Sequence, residues 1–263
     1  MGRVIGILSL KGGVGKTSSV VSLGAALASF GKKVLLIDAN FSAPNLGIHL
    51  NIIEPEKTIH HVLTGDVNIE DAIYNLDEFD IIPASVYPKK QFDPLSLKEK
   101  IKPLKKKYDF IILDSSPALN NETLATMISA DELFVVSTPD FSTLTMTLKA
   151  IAVAKKKGSP ISGIILNKVY NKNFELSLEN IEKTIEVPVL AVIPHDINVL
   201  RSQSEFLPSV YFRPKSDSSV EFKKLAACLT GEKYAPLRWR EIFKNISPKK
   251  HEVNRELFYR KVF

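Results

Sequence analysis

One cysteine, Cys228, in 263 residues excludes an internal disulfide framework and a cysteine-built zinc site, and it suits a reducing compartment. Five histidines without ligand spacing argue against a histidine metal centre. Their one cluster, His60-His61, is expected on a solvated surface. No apolar run approaches the length that crosses a bilayer. The apolar run after Arg3 is too short for a secretory signal and leads into Lys11-Gly12-Gly13 without a cleavage pattern. Gly6 occupies the position where a myristoylation motif needs Ser or Thr. Internal repeats and low-complexity tracts are missing as well. These absences point to a protein made in, and retained in, the cytoplasm.

What is present is an ordinary globular composition, 44% hydrophobic and 24% charged, in a chain long enough to bury a large core without staples. Short apolar runs alternate with amphipathic stretches, the signature of βαβ units. Strands are expected near 3–9, 33–38, 79–83, 109–114, 132–137, 161–167 and 188–193. Helices are expected near 16–30, 94–107, 119–129, 142–157, 175–185 and 217–229. Runs such as Val34-Leu35-Leu36-Ile37 and Phe110-Ile111-Ile112-Leu113 suit strands covered on both faces. The expected fold is α/β, a doubly wound, mostly parallel sheet with helices on both faces. The lysines of 89–107 read as the solvated face of a helix, because Leu97, Ile101, Leu104 and Tyr108 recur through them at helical spacing.

Charge is uneven. Gly231 to Phe263 holds nine basic and four acidic residues, so most of the net charge of +6 lies in the tail. The organisation expected is a domain over 1–232 and a basic amphipathic extension over 233–263.

The chemistry starts at Lys11-Gly12-Gly13-Val14-Gly15-Lys16-Thr17, directly after the first apolar run. A strand that ends in a glycine-rich turn and opens a helix is a phosphate cradle. Its backbone N–H groups converge on one anion, and the helix N-terminus adds its positive end. Lys16 can reach β- and γ-phosphates, and the Thr17 hydroxyl can ligate Mg²⁺. The G-x-x-x-x-G-K-[ST] pattern is met only if Ser9 or Leu10 stands in for the first glycine, so the loop is deviant; its distinguishing mark is the extra lysine, Lys11. Asp114 ends Phe110-Ile111-Ile112-Leu113 and is expected to hold the metal. Asp38 ends Val34-Leu35-Leu36-Ile37 and is expected close to the phosphates or the metal, since ligands of α/β sheets sit beyond the C-terminal ends of strands.

Lys11–Thr17, the Asp38 loop, Asp114, Asn167-Lys168 and Ile193-Pro194-His195-Asp196 together resemble the MinD/ParA family, closest to MinD-like proteins, over about residues 3–230. The resemblance implies an ATPase with ATP/ADP and Mg²⁺ as cofactors. It implies that Lys11 crosses an ATP-sandwich homodimer to the partner's phosphates. Gly12, Gly13, Val14, Gly15, Lys16 and Thr17 would cradle phosphates and metal, and Ser18 would take the α-phosphate. Asn167 would bond the adenine, and Pro194 and Asp196 would line the base pocket. The family usually carries a second aspartate two residues after Asp38, which positions the attacking water; this chain has Asn40. An amide accepts a hydrogen bond but is a poor base, so hydrolysis is expected to be slow.

Trp239, Ile242, Phe243 and Ile246 form one helical stripe flanked by Arg238, Arg240 and Lys244, and a second candidate helix runs from Glu252 to Phe263. MinD proteins are similar in ending with a basic amphipathic membrane-binding segment. The tail is therefore expected either to dock on the core or to contact an anionic membrane surface through 236–263, reversibly and strengthened by dimer avidity. A regulatory protein is a further candidate partner, and DNA is the less favoured one. The implied function is an ATP-dependent dimerisation switch that positions cell division, a polar organelle or DNA. The alternatives are an ATP-binding scaffold that scarcely hydrolyses and a ParA-like partition ATPase.

Overall fold

The computed structural model describes residues 2–88, 90–236 and 249–262. The stripe at 239–246 lies outside the described residues. Eight strands are β1 (Arg3–Leu8), β2 (Val34–Ala39), β3 (Tyr74–Leu76), β4 (Phe79–Ile82), β5 (Phe110–Ser115), β6 (Glu132–Ser137), β7 (Ile161–Val169) and β8 (Val189–Pro194). They form one sheet in the order β3-β4-β2-β5-β1-β6-β7-β8. All pairings are parallel except β3 with β4.

The helices are α1 (Lys16–Ala28), α2 (Leu46–His49), α3 (Ile59–Leu63), α4 (Leu97–Ile101), α5 (Asn121–Ser129), α6 (Phe141–Lys156), α7 (Leu178–Ile185), α8 (Ile197–Ser204), α9 (Ser209–Phe212), α10 (Asp217–Thr230) and α11 (Lys250–Val262). The sheet is dry on both sides because alternate strand residues feed opposite layers. Leu36, Ile112 and Ile7 pack with Leu23, Leu27 and Leu225 on one face. Leu35, Ile37 and Ile111 pack with Ile59, Leu97 and Ile101 on the other.

Three features depart from the sequence expectations. The 94–107 helix is broken into a 3₁₀ turn at Pro94–Ser96, α4, and a second 3₁₀ turn at Lys102–Lys106. Pro103 is the cause, since it lacks an amide hydrogen and its ring collides with the preceding turn. Strand β3 is an additional antiparallel edge, three residues long, joined to β4 across the two-residue turn Asp77-Glu78. His60 is not on the surface: it is 4% exposed, with its ring against Phe92 at 4.9 Å and Phe41 at 5.8 Å. Its Nδ1 accepts from the Ser85 amide at 3.0 Å. His61 meanwhile closes a capping box with Thr58 at the start of α3.

Helix α11 packs on β8, the far edge of the sheet, and on α10. Its Arg255, 6% exposed, donates to Glu221 at 2.9 Å and to the Leu190 carbonyl at 3.2 Å. Asn254 donates to the Val189 carbonyl at 2.9 Å. Two side chains thus cap carbonyls beside an edge strand that would otherwise be left for another chain to pair with. Among the described residues, no helix is long and apolar enough to cross a membrane.

Candidate functional site

The C-terminal ends of β1, β2, β5, β7 and β8 converge on a cleft of about 400 Å³. After β1 the chain turns through Gly13 at φ 78° and Gly15 at φ 88°, left-handed values that a side chain tolerates poorly. A Cβ added at Gly12 or Gly13 would meet nothing within 4 Å, so the loop faces open space. At Gly15 a Cβ would lie 2.3 Å from the Asn167 amide nitrogen. Asn167 donates from that nitrogen to the Val14 carbonyl at 2.8 Å, tying the end of β7 to the loop.

Lys16 is 7% exposed, and its ammonium sits against one oxygen of the fully buried Asp114. Thr17 donates to the other oxygen at 2.6 Å. Asp38 lies in register beside Asp114 on the neighbouring strand and is also fully buried. Its two oxygens accept the backbone N–H groups of Asn40, Asn45 and Leu46 at 3.0–3.1 Å, holding the loop after β2. Burial, with the adjacent Asp114 adding to it, pushes the Asp38 carboxyl well above the usual range. The oxygen-only set of Thr17, Asp114 and Asp38 suits a hard cation such as Mg²⁺.

Asn40 lines the cleft and is 4% exposed. Its amide nitrogen donates to the Ala43 carbonyl, which fixes the flip and leaves Oδ1 buried without a hydrogen-bond partner. Lys11 stands at the cleft and donates to Thr143 at 2.9 Å, with Asp140 at 3.4 Å. Burial works against the charged form of Asp140, yet bonds from Thr138 and Thr143 and the Lys11 charge hold its pKa down at about 2.

Every sequence-predicted site residue except Asp38 and Asp114 lines the cleft; those two are fully buried, Asp114 joined to it through Lys16 and Thr17 and Asp38 beside Asp114 on the next strand. Asp196 serves mainly as a cap: it accepts from the Asn198 amide at 2.9 Å at the start of α8 and from Ser218 at 2.7 Å. Residues missed in the sequence also line the cleft. Gln203 donates to Ser18 at 2.7 Å. Lys168, at φ 56°, donates to the Gly13 carbonyl at 2.7 Å. His195 stacks on Tyr170 at 4.5 Å. His49 enters from α2. Lys168 and His195 lie inside the quoted motifs Asn167-Lys168 and Ile193-Pro194-His195-Asp196, although no role was expected of them; Gln203 and His49 have no spacing that would have marked them.

A family model described as an AAA domain matches residues 2–157. An uncharacterised ATP-binding protein of Methanocaldococcus jannaschii is 38% identical over 237 residues, covering 89% of this chain and 90% of its own. The septum site-determining protein MinD of Pyrococcus horikoshii, solved with Mg-ADP, superimposes with a TM-score of 0.82 at 38% identity, covering 87% of this chain and 96% of that one. A MinC:MinD cell division complex of Aquifex aeolicus gives 0.78 at 27% identity, covering 90% and 98%. With an eight-stranded sheet and a phosphate loop in the same arrangement, the chain belongs to the MinD/ParA family.

Proposed function

We propose that this protein binds Mg·ATP, dimerises around it, and hydrolyses it slowly, so that nucleotide state sets assembly state. The observation that carries the reading is the Lys16–Asp114–Thr17 cluster around a buried carboxylate, next to an open glycine cradle, with a second lysine, Lys11, at the cleft. Lys16 and the amides of 12–15 would hold the phosphates, and Ser18, tethered by Gln203, would meet the α-phosphate. Asn167 and Pro194 would border the base. A bound Mg²⁺, held through Thr17 and Asp114 with Asp38 nearby, would neutralise phosphate charge.

The Lys11–Asp140 pair is half-exposed and worth about 1 kcal/mol or less, so apart from one bond to the buried Thr143 hydroxyl little holds Lys11 back from a second subunit. Asn40 carries no negative charge, and its one unpartnered acceptor is buried, which supports slow turnover. A regulatory protein partner is consistent with the MinC-bound relative. In the tail, α11 is docked, which leaves the basic stripe 236–246 as the segment suited to an anionic membrane. Two copies in a dimer would bind where one is weak.

The test is light scattering of wild type and Lys11→Ala with ATP or ADP. Dimers of wild type only with ATP, and monomers of Lys11→Ala throughout, are expected. Equal masses in every condition overturn the switch. Turnover of wild type equal to that of Asn40→Asp overturns the slow-hydrolysis part.

A further inference from the structure

His49 is the last residue of α2, a four-residue helix that follows the Asp38 loop. It lines the same cleft as the phosphate loop and Asn40. Among the described residues its imidazole makes no hydrogen bond and no ion pair, although it is not exposed. A histidine in the last turn of a helix commonly serves the helix dipole. Here it bonds none of the terminal carbonyls, so that role does not account for it. Nor does it suit the metal, since Mg²⁺ takes oxygen ligands.

Asn40 lines the same cleft. Asn40 Oδ1 is buried, unpartnered, and fixed in orientation by the Ala43 carbonyl. An amide oxygen can orient a water but cannot take its proton. A neutral imidazole can. The charged groups that act on His49 are Asp114 on β5 and Lys16 on α1, and their effects oppose each other. Burial is the larger influence and lowers the His49 pKa below its ordinary 6.5, keeping the ring unprotonated at neutral pH.

We propose that His49 is a catalytic residue of the ATPase, the general base for the attacking water in the cleft, supplying the proton acceptor that the Asn40 amide lacks. The proposal rests on the ATPase reading above. In the step, the water oxygen bonds to the γ-phosphorus as the bond to the β,γ-bridging oxygen breaks. The electron pair leaves on ADP, and the water proton passes to the free imidazole nitrogen. His49 then releases that proton to solvent.

A base of this kind contributes roughly 10²–10⁴-fold in general, less where the transition state is loose. The test compares wild type, His49→Gln and His49→Gln/Asn40→Asp in phosphate release across pH 5–8, in Mg·ATP affinity by calorimetry, and in thermal unfolding. For wild type it adds the His49 imidazole titration by NMR with and without a non-hydrolysable ATP analogue.

The expected results are a kcat at least tenfold lower in His49→Gln, ATP affinity unchanged within about twofold, and loss of the acid limb that wild type shows. Asn40→Asp should restore turnover in that background. The His49 titration should shift on binding the analogue. Unchanged kcat and pH profile in His49→Gln, or a titration blind to the analogue, overturns the role of His49 while leaving the ATPase reading standing. Wild type that binds Mg·ATP without turnover, or fails to bind it, overturns both.

Discussion

Thr17 and Asp114 meet at 2.6 Å, hydroxyl to carboxylate, on a strand-end acid that also receives the Lys16 ammonium. One buried carboxylate therefore balances the loop's lysine and restrains the hydroxyl expected to face a metal.

Replacing Asp114 with Asn keeps the shape and removes the charge, leaving Lys16 buried and unpaired. Breaking a buried pair from one side costs about 3–5 kcal/mol. The nucleotide-free variant should melt well below wild type, and its ATP affinity should no longer depend on Mg²⁺. Thermal unfolding and calorimetry with and without EDTA check this; a wild-type melting point together with wild-type Mg²⁺ dependence contradicts it.

Gly15→Ala places a Cβ 2.3 Å from the Asn167 amide nitrogen on a backbone at φ 88°. It should abolish nucleotide binding and destabilise the fold by ~2 kcal/mol or more through clash and strain. The double variant Gly15→Ala/Asn167→Ala relieves the clash but not the φ strain. Its destabilisation should fall below the sum of the two single changes, and strict additivity in a double-mutant cycle would show that the two residues are uncoupled.

Two buried histidines predict an acid-sensitive fold. Burial brings His60 and His251 each down to about 4 from the ordinary 6.5. Between those values the unfolded chain binds more protons than the folded one, so stability rises with pH across the window. It is fully present above pH 6.5 and is lost as pH falls towards 4, on the order of 3 kcal/mol per ring. Denaturant midpoints from pH 7 to 4.5 should drop, and the drop should be shallower in His60→Gln. Parallel slopes in the two proteins would remove His60 as a cause.

Much of the site was legible because phosphate binding uses local rules. A strand, a glycine turn and a helix start are adjacent in sequence, and Asp38, Asp114 and Asn167 each end a long apolar run. His49 and Gln203 were not legible, because their placement depends on which loop crosses which strand end. His60 was misjudged for a related reason. Its apolar neighbours Phe41 and Phe92 lie 19 and 32 positions away, so nothing local marks it as buried. The split of 94–107 was readable from Pro103 and was overridden by the periodicity of Leu97, Ile101 and Leu104. The four-residue helices α2 and α9 are too short to carry a period at all.

Because α11 is docked on β8 and α10, membrane anchoring by the tail has to be tested in the full-length protein. Truncation before α11 would strip Arg255 from Glu221, which is 7% exposed, and uncover β8, so loss of vesicle binding in a truncated protein would mix anchoring with damage. Full-length substitutions separate the two. Trp239→Glu/Phe243→Glu puts charge into the apolar stripe while keeping α11 and its buried pair. Arg255→Ala does the reverse, costing about 3 kcal/mol by breaking that pair and leaving the stripe intact. With anionic vesicles and ATP, the stripe variant should stay in the supernatant at a wild-type melting point, while Arg255→Ala should still pellet despite a lowered one. If the stripe variant pellets like wild type, the anchor does not lie in 236–246; if only Arg255→Ala fails to pellet, the docked helix itself carries the contact.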